Sequence, residues 1–428
     1  MYLAERTSLR LSTLCALYVA QGLPFGFVTV ALAAYLSNRG ANLQVIGDLI
    51  AYSILPWSFK WMWGPVIDWL QVPGLGRRRP WIILAQSLML VTIGWMILTD
   101  AEQSFTSLKR LVLLLNVFAS LQDVAVDALA VDLLPEHERG KANGLMYASS
   151  YFGTAIGGGG LGWLMGRTGF SVALVALAFL LLLILLFPIL LRERPGDRWC
   201  VPAWRSAWQA ESSATRRPSG MTLLRNLWKA FSVPASLVAA LLALTVNLGQ
   251  GLLQAVYTVH FTQELQWSQE KFSAATGGYA VLLGLAASVA GGFLADRFGA
   301  KLIASFASLA LGILWVCFGE ISSLWHVDAI IYALIYGQEI LLALLTVSLF
   351  SMFLTVAWPQ VAATQFTAYM SLMNLSRVFG SKSASAMSEL LTCQEMFMLM
   401  GGVQMGLICI IYSLDVTQTR RVLGPESA

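Results

Sequence analysis

Three aspartates, Asp123, Asp127 and Asp132, lie inside one run of apolar residues that is long enough to cross a lipid bilayer. A charged side chain at mid-membrane depth is costly, so it is kept where it faces a protein interior or a wet cavity. Asp123 and Asp127 are four positions apart and share a helical face, with Gln122 beside them. This spacing predicts a pathway for protons or for a polar substrate. The alternative is a buried ion pair that only holds helices together, and we assign Asp132 to that structural role.

The composition is that of a membrane protein. Of the 428 residues, 57% are hydrophobic and 12% are charged, and the mean hydropathy is +0.69. Soluble proteins carry about 25% charged residues. Apolar runs of about 20 residues recur between short polar turns, and each is long enough for one crossing. We therefore predict an all-α polytopic membrane protein with twelve transmembrane helices. The predicted spans are 11–36, 44–69, 81–99, 111–134, 143–166, 170–191, 232–260, 272–295, 301–320, 327–356, 363–388 and 396–415.

The positions of lysine and arginine predict the orientation in the membrane. Nineteen of these residues fall at the termini and in the even-numbered connections, and six fall on the opposite side. Because positive residues favour the cytoplasmic side, we expect both termini in the cytoplasm and the protein in the inner membrane. The net charge of +4 then reflects topology and indicates no nucleic-acid partner. The five cysteines show no metal-binding spacing, so we expect neither a metal nor a cofactor.

Short internal repeats predict that the chain is a duplicated six-helix unit. Each match is weak alone, but three of them lie in corresponding spans at similar offsets. We therefore expect a first half at 1–192, a cytoplasmic linker at 193–229 and a second half at 230–428. The repeated residues are Gln21-Gly22-Leu23 and Gln250-Gly251-Leu252, 229 positions apart; Asp68 and Asp296, 228 apart; and Gln122-Asp123 and Gln338-Glu339, 216 apart.

Polar side chains within the spans predict a binding site for a small molecule. Lys60 and Arg377 are the two cations deep within predicted spans, away from the span ends, and they suit the carboxylate or phosphate of a cargo. From the depth of Lys60 we also expect a carboxylate partner, either Asp123 or Asp127. We expect Glu339 to pair with Arg377 in the same way. The predicted substrate-binding residues are Gln21, Lys60, Gln122, Gln250, Gln254, Gln338, Asn374 and Arg377.

We assign proton coupling to Asp123, Asp127 and Glu339. Asp123 is the expected carrier because it lies nearest the middle of its span, where alternating access exposes one site to either side in turn. The rival hypothesis is an intramembrane aspartyl enzyme. No GxGD element occurs in the sequence, and the two best acids lie on one helix, whereas a protease dyad is assembled from two segments. We therefore expect a protein that is not an enzyme.

A run of glycines at 153–162, GTAIGGGGLG, lies within the fifth span. No strand precedes it and no GK[ST] follows, so a phosphate-binding loop is the weaker interpretation. Small residues favour close packing of membrane helices, and the eighth span offers matching ones between Gly284 and Gly292. We expect these two stretches to form a contact between the halves that opens and closes. At the outer end of the seventh span, His260 is either a pH sensor or a structurally satisfied histidine.

Two stretches at the cytoplasmic ends of the second and eighth spans, GPVIDWLQVPGLGRRR and GGFLADRFGAK, resemble the signature of the major facilitator superfamily. The resemblance implies the major facilitator fold, with two six-helix halves around a cavity at the midplane and alternating access. It also implies gating or structural roles for charged residues on the cytoplasmic side. These residues are Asp68, Arg77, Asp132, Arg139, Asp296 and Arg297.

Three further stretches resemble one branch, the AmpG-type muropeptide permeases and the related peptide and acetyl-coenzyme A transporters: SLQDVAVDALAVDLLPEHERG, LPWSFKWMWGPVID and AATQFTAYMSLMNLSRVFG. Some siderophore permeases share the QGLPFGF of the first span. The resemblance implies a monomeric, proton-coupled secondary transporter surrounded by membrane lipid. We expect its cargo to be an anionic or zwitterionic small molecule such as a muropeptide. Because the larger muropeptide permeases have two additional C-terminal spans, siderophores and acyl-coenzyme A stay as alternative cargoes.

Overall fold

The computed structural model describes residues 2–69, 75–99, 104–134, 136–195, 197 and 220–424. These residues are almost entirely helical, and the β-structure among them is an isolated bridge between Tyr2 and Arg192. The predicted all-α class is therefore confirmed. The predicted linker at 193–229 lies largely outside the described residues, apart from a helix at Gly220–Phe231 that ends it.

Twelve helical segments occupy the twelve predicted spans of the described chain. They are α1 (Thr7–Asn38), α2 (Leu43–Ser58 and Trp63–Trp69), α3 (Arg79–Leu98), α4 (Phe105–Leu133), α5 (Glu136–Ala155, Ile156–Gly160 and Leu161–Thr168), α6 (Phe170–Leu190), α7 (Pro234–Glu264), α8 (Gln269–Phe298), α9 (Ala300–Glu320), α10 (Asp328–Val356), α11 (Ala362–Ser388) and α12 (Cys393–Ser413). Within the described residues, nine helices are long and apolar enough to cross a membrane. The other three, α2, α5 and α11, carry breaks or more polar residues, as expected of helices that line a site.

Helix α2 is broken at the point where the sequence places a lysine. Its first segment ends at Ser58, a 3₁₀ turn follows at Lys60–Met62, and the helix resumes at Trp63. Pro56 lies in the last turn before this break and Pro65 in the first turn after it. Proline has no backbone N–H to donate and crowds the preceding turn, so the two prolines favour the interruption. The break sets the position of Lys60.

Four helices contain a wider π-helical turn: Phe27–Leu32 in α1, Ile156–Gly160 in α5, His260–Glu264 in α7 and Ser273–Tyr279 in α8. Such turns are rare in proteins, and many of those that occur lie at functional sites. The turns of α5 and α8 contact each other, so they lie at the contact between α1–α6 and α7–α12. We call these two sets of helices the first half and the second half.

The chain ends define one face of the molecule. The N–H of Leu3 donates to the carbonyl of Arg192 at 2.8 Å, and the N–H of Ala235 donates to the side chain of Gln418 at 2.8 Å. These bonds bring the first and last helices of each half together at what we call the terminal face. The turns after α1 and α7 are one crossing away and lie at the opposite face, which we call the far face.

The two halves are hydrogen-bonded to each other at the far face. The amide of Gln263 donates to the carbonyl oxygens of Ser37 at 2.8 Å and Ala41 at 2.7 Å. The amide of Gln269 donates to the carbonyl of Ala31 at 2.8 Å. Since all three acceptors belong to the first half and both donors to the second, this face of the molecule is closed in the structure.

Glycines allow the backbones of α5 and α8 to touch beneath this closure. A Cβ atom added at Gly277 would lie 2.6 Å from the carbonyl carbon of Gly158. The predicted contact between α5 and α8 is therefore confirmed. Its closest part uses Gly277 and its neighbour, about two turns before the predicted stretch, while Gly291 faces α10. Within the predicted stretch, the hydroxyl groups of Tyr151 and Ser288 lie 3.4 Å apart.

A carboxylate in α2 also joins the halves near the far face. Asp48 contacts Lys382 of α11 at 2.7 Å with one oxygen and Lys109 of α4 at 3.3 Å with the other. The ammonium groups of both lysines lie over the ring of Tyr52, at 5.0 Å for Lys109 and 4.7 Å for Lys382. At the adjacent position Gly47 approaches the carbonyl of Ser381 closely. Of the two ion pairs of Asp48, only the one with Lys382 crosses between the halves.

Candidate functional site

A buried ion pair joins α2 and α4. The ammonium nitrogen of Lys60 lies 2.9 Å from Oδ2 of Asp123, and the exposed fractions of the two side chains are 12% and 2%. The predicted pairing of Lys60 with a carboxylate of α4 is confirmed. The break in α2 positions the lysine, whose ammonium also lies 6.0 Å from the ring centre of Trp57. Each charge is compensated by the other, which offsets part of the cost of removing both from water.

Gln21 of α1 completes the surroundings of Asp123. Its amide nitrogen donates to the other carboxylate oxygen, Oδ1, at 2.6 Å. The carbonyl oxygen of the same amide is buried and has no hydrogen-bond partner among the described residues. Both oxygens of Asp123 therefore have a donor, and Gln21 stands between this carboxylate and the space beyond.

Asp127 lies one turn further along α4 and has a different partner. The hydroxyl of Tyr18 donates to its Oδ1. The ring of Tyr18 in turn meets the edge of Tyr147, with 6.3 Å between the ring centres. No ion pair joins Asp127 to a cation in the described part of the chain. We call Gln21, Lys60, Asp123, Tyr18 and Asp127 the ion-pair cluster.

A cavity of about 400 Å³ lies between the two halves, next to this cluster. Its walls combine amides, hydroxyls and aromatic rings with one carboxylate and one guanidinium. The described residues that line it are Gln21, Gly22, Phe25, Thr29, Val30, Ile54, Trp57, Tyr147, Ser150, Tyr151, Thr154, Gln250, Gln254, Tyr257, Thr258, Phe272, Thr276, Val281, Gln338, Glu339, Leu342, Thr346, Phe350, Met370, Asn374 and Arg377. Gln21 and Tyr147 connect this cavity to the ion-pair cluster.

Most of the predicted substrate-binding residues line this cavity, but two do not. Lys60 is engaged with Asp123 behind Gln21, and Gln122 is buried and donates to the carbonyl of Leu17 at 3.3 Å. Gln122 lies on the face of α4 that packs against α1 and does not line the cavity. The expected contact of Gln122 with a substrate is therefore corrected to a packing contact with α1. The predicted residues that do line the cavity are Gln21, Gln250, Gln254, Gln338, Asn374 and Arg377.

The expected ion pair between Glu339 and Arg377 is wrong for this structure. Arg377 donates to the side-chain oxygen of Gln254, whose own amide donates to the carbonyl of Thr29 at 3.2 Å. Glu339 lines the same cavity but makes no ion pair with the guanidinium or with any other described residue. The physical reason is that Gln254 offers the arginine a nearer acceptor, in a position that also contacts the first half.

At the terminal face, arginines that follow α2 contact the end of α4. Asp132 lies 2.9 Å from Nε of Arg78 and 3.8 Å from a terminal nitrogen of Arg77. The structural role assigned to Asp132 and Arg77 is thus supported by a contact. Arg78, which the sequence analysis did not select, is the nearer partner. The side chains of Asp68 and Arg139, the other first-half residues assigned to gating, lie outside the described residues.

Glu193, just after α6, is a second buried carboxylate at this face that sequence reasoning missed. It accepts the backbone N–H groups of Arg77 at 2.9 Å, Arg78 at 2.7 Å and Arg79. These donors belong to the start of α3, where helical N–H groups have no partner within the helix. Gly76 fits this turn because its φ is 96° and an added Cβ would come 2.8 Å from Glu193. Burial raises the pKa of Glu193, against the lowering effect of the three N–H donors.

The corresponding residues of the second half form no such network. Asp296 and Arg297, at the end of α8, are exposed, and neither makes an ion pair with a described residue. The guanidinium of Arg297 lies 5.4 Å from the ring centre of Phe298. The two signature stretches resemble each other in sequence, but their charged side chains are used differently.

His260 occupies a packed position at the end of α7. Its Nδ1 lies 2.9 Å from a carboxylate oxygen of Glu264, and its ring meets the edge of Trp325 with 4.7 Å between the centres. Neither ring nitrogen makes a hydrogen bond with a described residue, so the pH-sensor and structural hypotheses for His260 both stay predictions.

Comparison with known proteins gives a consistent assignment. The chain matches the Major Facilitator Superfamily over residues 14–416. A Rickettsia conorii protein named AmpG 4 is 28% identical over 291 residues, which cover 67% of this chain and 66% of that protein. The anhydromuropeptide permease of Escherichia coli K12 is 28% identical over 195 residues, which cover 45% of this chain and 39% of the permease. The chain thus aligns with less than two thirds of the length of each relative.

Solved structures share the fold at low sequence identity. A D-xylose-proton symporter superposes with a TM-score of 0.72 at 14% identity, covering 95% of this chain and 99% of the symporter. A POT family transporter in complex with a thioalcohol-conjugated peptide superposes with a TM-score of 0.71 at 12% identity, covering 95% and 96%. With the family match extending over most of the sequence, we conclude that the chain is a multi-pass membrane protein of the Major Facilitator Superfamily, whose members are transporters and not enzymes.

Proposed function

We propose that the protein is a proton-coupled secondary transporter of the inner membrane that carries an anionic or zwitterionic small molecule of the muropeptide type. It works as a monomer with both termini in the cytoplasm, and its cavity opens to one side of the membrane at a time. The observation that carries this proposal is the buried ion-pair cluster, which Gln21 connects directly to the cavity.

Within the cluster we assign the moving proton to Asp127. Asp123 is held by the ammonium of Lys60 and the amide of Gln21, so protonating it would break a buried ion pair. Among the described residues, Asp127 is hydrogen-bonded by the hydroxyl of Tyr18 alone. A hydroxyl can donate to a carboxylate or accept from a carboxylic acid, so it tolerates both forms. Depth in the span favoured Asp123 from sequence, but the ion pair supports Asp127.

The charges of the cavity support a cargo with few negative groups. Arg377 is the one cation among the described residues that line the cavity. A coenzyme A thioester carries several phosphate charges, more than a single guanidinium can pair with. The Escherichia coli relative is an anhydromuropeptide permease, and the resemblance to it supports a cargo of that type.

The closed far face supports assigning the structure to the state of the transport cycle that is open to the cytoplasm. With the termini in the cytoplasm, as the distribution of lysine and arginine predicts, the far face is the periplasmic side. The hydrogen bonds of Gln263 and Gln269 to α1 and the α1–α2 turn then close the cavity to the periplasm. The structure fits the state in which cargo is exchanged with the cytoplasm.

Uptake of a radiolabelled anhydromuropeptide into proteoliposomes tests the function. We expect the wild type to accumulate this probe only when a proton gradient is imposed. Asp127→Asn should abolish accumulation, because the amide cannot carry a proton, while exchange between equilibrated compartments continues. Asp328→Asn is the matched control, since Asp328 is exposed and pairs with Lys271 at 2.7 Å, away from the cavity.

Each outcome of this assay separates one part of the proposal. Accumulation by the wild type without a gradient would remove proton coupling. Gradient-driven accumulation by Asp127→Asn would place the proton carrier elsewhere. If labelled acyl-coenzyme A or a ferric siderophore is taken up and the muropeptide is not, the assigned cargo is wrong.

A further inference from the structure

The cavity wall carries two opposite charges that attract each other without forming a direct ion pair. Glu339 of α10 and Arg377 of α11 both line the cavity of about 400 Å³, and both also line an adjoining space of about 210 Å³. No ion pair joins these two residues. In the first half, by contrast, Lys60 and Asp123 are in direct contact behind Gln21. The net charges offered to a ligand are therefore those of Glu339 and Arg377.

Arg377 keeps part of its hydrogen-bonding capacity unused. One terminal nitrogen donates to Gln254, and neither the other terminal nitrogen nor the buried Nε has an acceptor among the described residues. The guanidinium lies 5.8 Å from the ring centre of Phe25, and Asn374, one turn earlier in α11, lines the same wall. A carboxylate is the group that best matches a guanidinium with a free donor beside an amide.

The carboxylate of Glu339 borders open space in the cavity. It makes no hydrogen bond or ion pair with any described residue, although it lies in the wall of the cavity. Its Oε2 faces Gly284 of α8, where even an added Cβ would stay 3.7 Å away. Tyr151 borders the same space. A carboxylate in these surroundings is a ready acceptor for an ammonium group.

We propose that the cavity binds a zwitterion, with the ligand's carboxylate at Arg377 and its ammonium group at Glu339. Two desolvated charges held apart from each other are costly to the empty protein, and a ligand with the complementary pair of charges relieves both at once. This inference rests on the proposed function and deepens it. It assigns Glu339 to cargo binding, whereas the sequence predicted proton coupling for it. Proton coupling then stays with the ion-pair cluster.

Equilibrium binding to the purified full-length protein, without any gradient, tests the inference. Three probes are compared: an anhydromuropeptide with a free amine and free carboxylates on its peptide stem, the same compound with the amine acetylated, and the same compound with the terminal carboxylate amidated. We expect the wild type to bind the first at least about tenfold more tightly than either derivative, as charge-assisted hydrogen bonds imply.

The variants should reproduce these losses in matched pairs. Glu339→Gln should weaken binding of the free probe about tenfold and leave binding of the acetylated probe unchanged. Arg377→Gln should do the same with the amidated probe. Glu339→Asp keeps the charge and should keep the preference for the free amine, which separates loss of charge from loss of folding. Asp328→Asn, outside the cavity, should bind all three probes as the wild type does.

The inference is overturned if the wild type binds all three probes equally, or if Glu339→Gln weakens the free and the acetylated probe by the same factor. Gradient-driven uptake of the free probe would then still stand, so the proposed function would survive alone. Failure of the wild type to bind any of the three probes would overturn both the zwitterion site and the assigned cargo.

Discussion

The two halves of the molecule handle their membrane-embedded charges in opposite ways. In the first half, Lys60 contacts Asp123 at 2.9 Å, and Gln21 caps the remaining carboxylate oxygen. In the second half, Glu339 and Arg377 face a common cavity without contacting each other. A compensated pair can stay in place while a neighbouring group changes its protonation. Charges without a direct partner gain most from a ligand. This difference supports our proposal that the first half couples protons and the second half binds cargo.

The largest effect should come from separating the charges of the first half. Lys60→Met and Asp123→Asn should each lower the free energy of unfolding by about 3–5 kcal/mol, because each leaves one buried charge unpaired. The double variant should lose clearly less than the sum. Unfolding of the detergent-solubilised protein measures the coupling in a double-mutant cycle.

The same cycle at Glu339→Gln and Arg377→Gln is the matched comparison. Because no ion pair joins these residues and only a longer-range attraction links them, their coupling energy should be clearly smaller than that of Lys60 and Asp123. Strong coupling in the second half, or additivity in the first, would contradict the contrast between the halves.

The glycine contact between the halves gives the next prediction. An added Cβ at Gly277 would lie 2.6 Å from Gly158, whereas one at Gly278 would meet nothing nearer than 3.9 Å. Overpacking costs about 1–3 kcal/mol, so Gly277→Ala should shift the population away from the closed far face by roughly tenfold or more. Gly278→Ala, one residue away, should leave it unchanged.

Labelling of an introduced cysteine measures this shift. Thr258 lines the cavity, so a cysteine placed there in a cysteine-free background should react with a membrane-impermeant maleimide only when the far face opens. Labelling should rise in Gly277→Ala and stay at the starting level in Gly278→Ala. Equal labelling of the two variants would mean that this backbone contact does not limit closure.

Substitutions at the two signature stretches of the terminal face should change the unfolding free energy by different, smaller amounts. Glu193→Ala removes the acceptor of three backbone N–H groups at the start of α3 and should cost about 1–3 kcal/mol of unfolding free energy. Asp296→Ala, at the exposed counterpart in the second half, should change it by less than about 0.5 kcal/mol. Similar losses in the two variants would remove the asymmetry at this face.

The contribution of Glu193 should also depend on pH. Burial raises its pKa in the folded protein, so the folded state holds the proton more tightly than the unfolded chain does. This contribution is present in full below the unfolded pKa and is lost as the pH rises through the folded pKa. Glu193→Gln cannot titrate, so its unfolding free energy should lack this decline with rising pH when compared with the wild type.

The helical fold and the first-half ion pair could be predicted from the sequence because both follow from the free-energy cost of placing polar groups in the membrane. Apolar length fixes a crossing, and a charge at depth needs a partner, which for Lys60 could only be a carboxylate of similar depth. The pairing of Glu339 with Arg377 followed the same rule and was wrong. Gln254 of α7 takes the place of Glu339 as the acceptor for Arg377. Tertiary packing brings Gln254 next to the arginine, and sequence spacing does not reveal that packing.

Other site residues escaped notice because their residue type gave no signal. Tyr18 precedes Gln21 by three positions and shares its helical face, but tyrosine is common in membrane helices and carries no cost that demands a partner. Glu193 lies among arginines in a polar segment, where a carboxylate is ordinary. Its burial follows from the return of the chain end to the start of α3, a contact between residues more than 100 positions apart in the sequence.

The smallest predicted effect concerns the ion pair that crosses between the halves at the far face. Asp48 contacts two lysines, but Lys382 belongs to the second half and Lys109 to the first. Lys382→Met should therefore weaken closure, whereas Lys109→Met should not, although both remove a cation from the same carboxylate. Partly exposed ion pairs contribute about 0–1 kcal/mol, so labelling at the Thr258 position should rise by at most a few-fold. The increase should shrink at high salt, which screens exposed charges. Equal effects of the two lysine variants would show that Asp48 stabilises the first half alone and does not hold the two halves together.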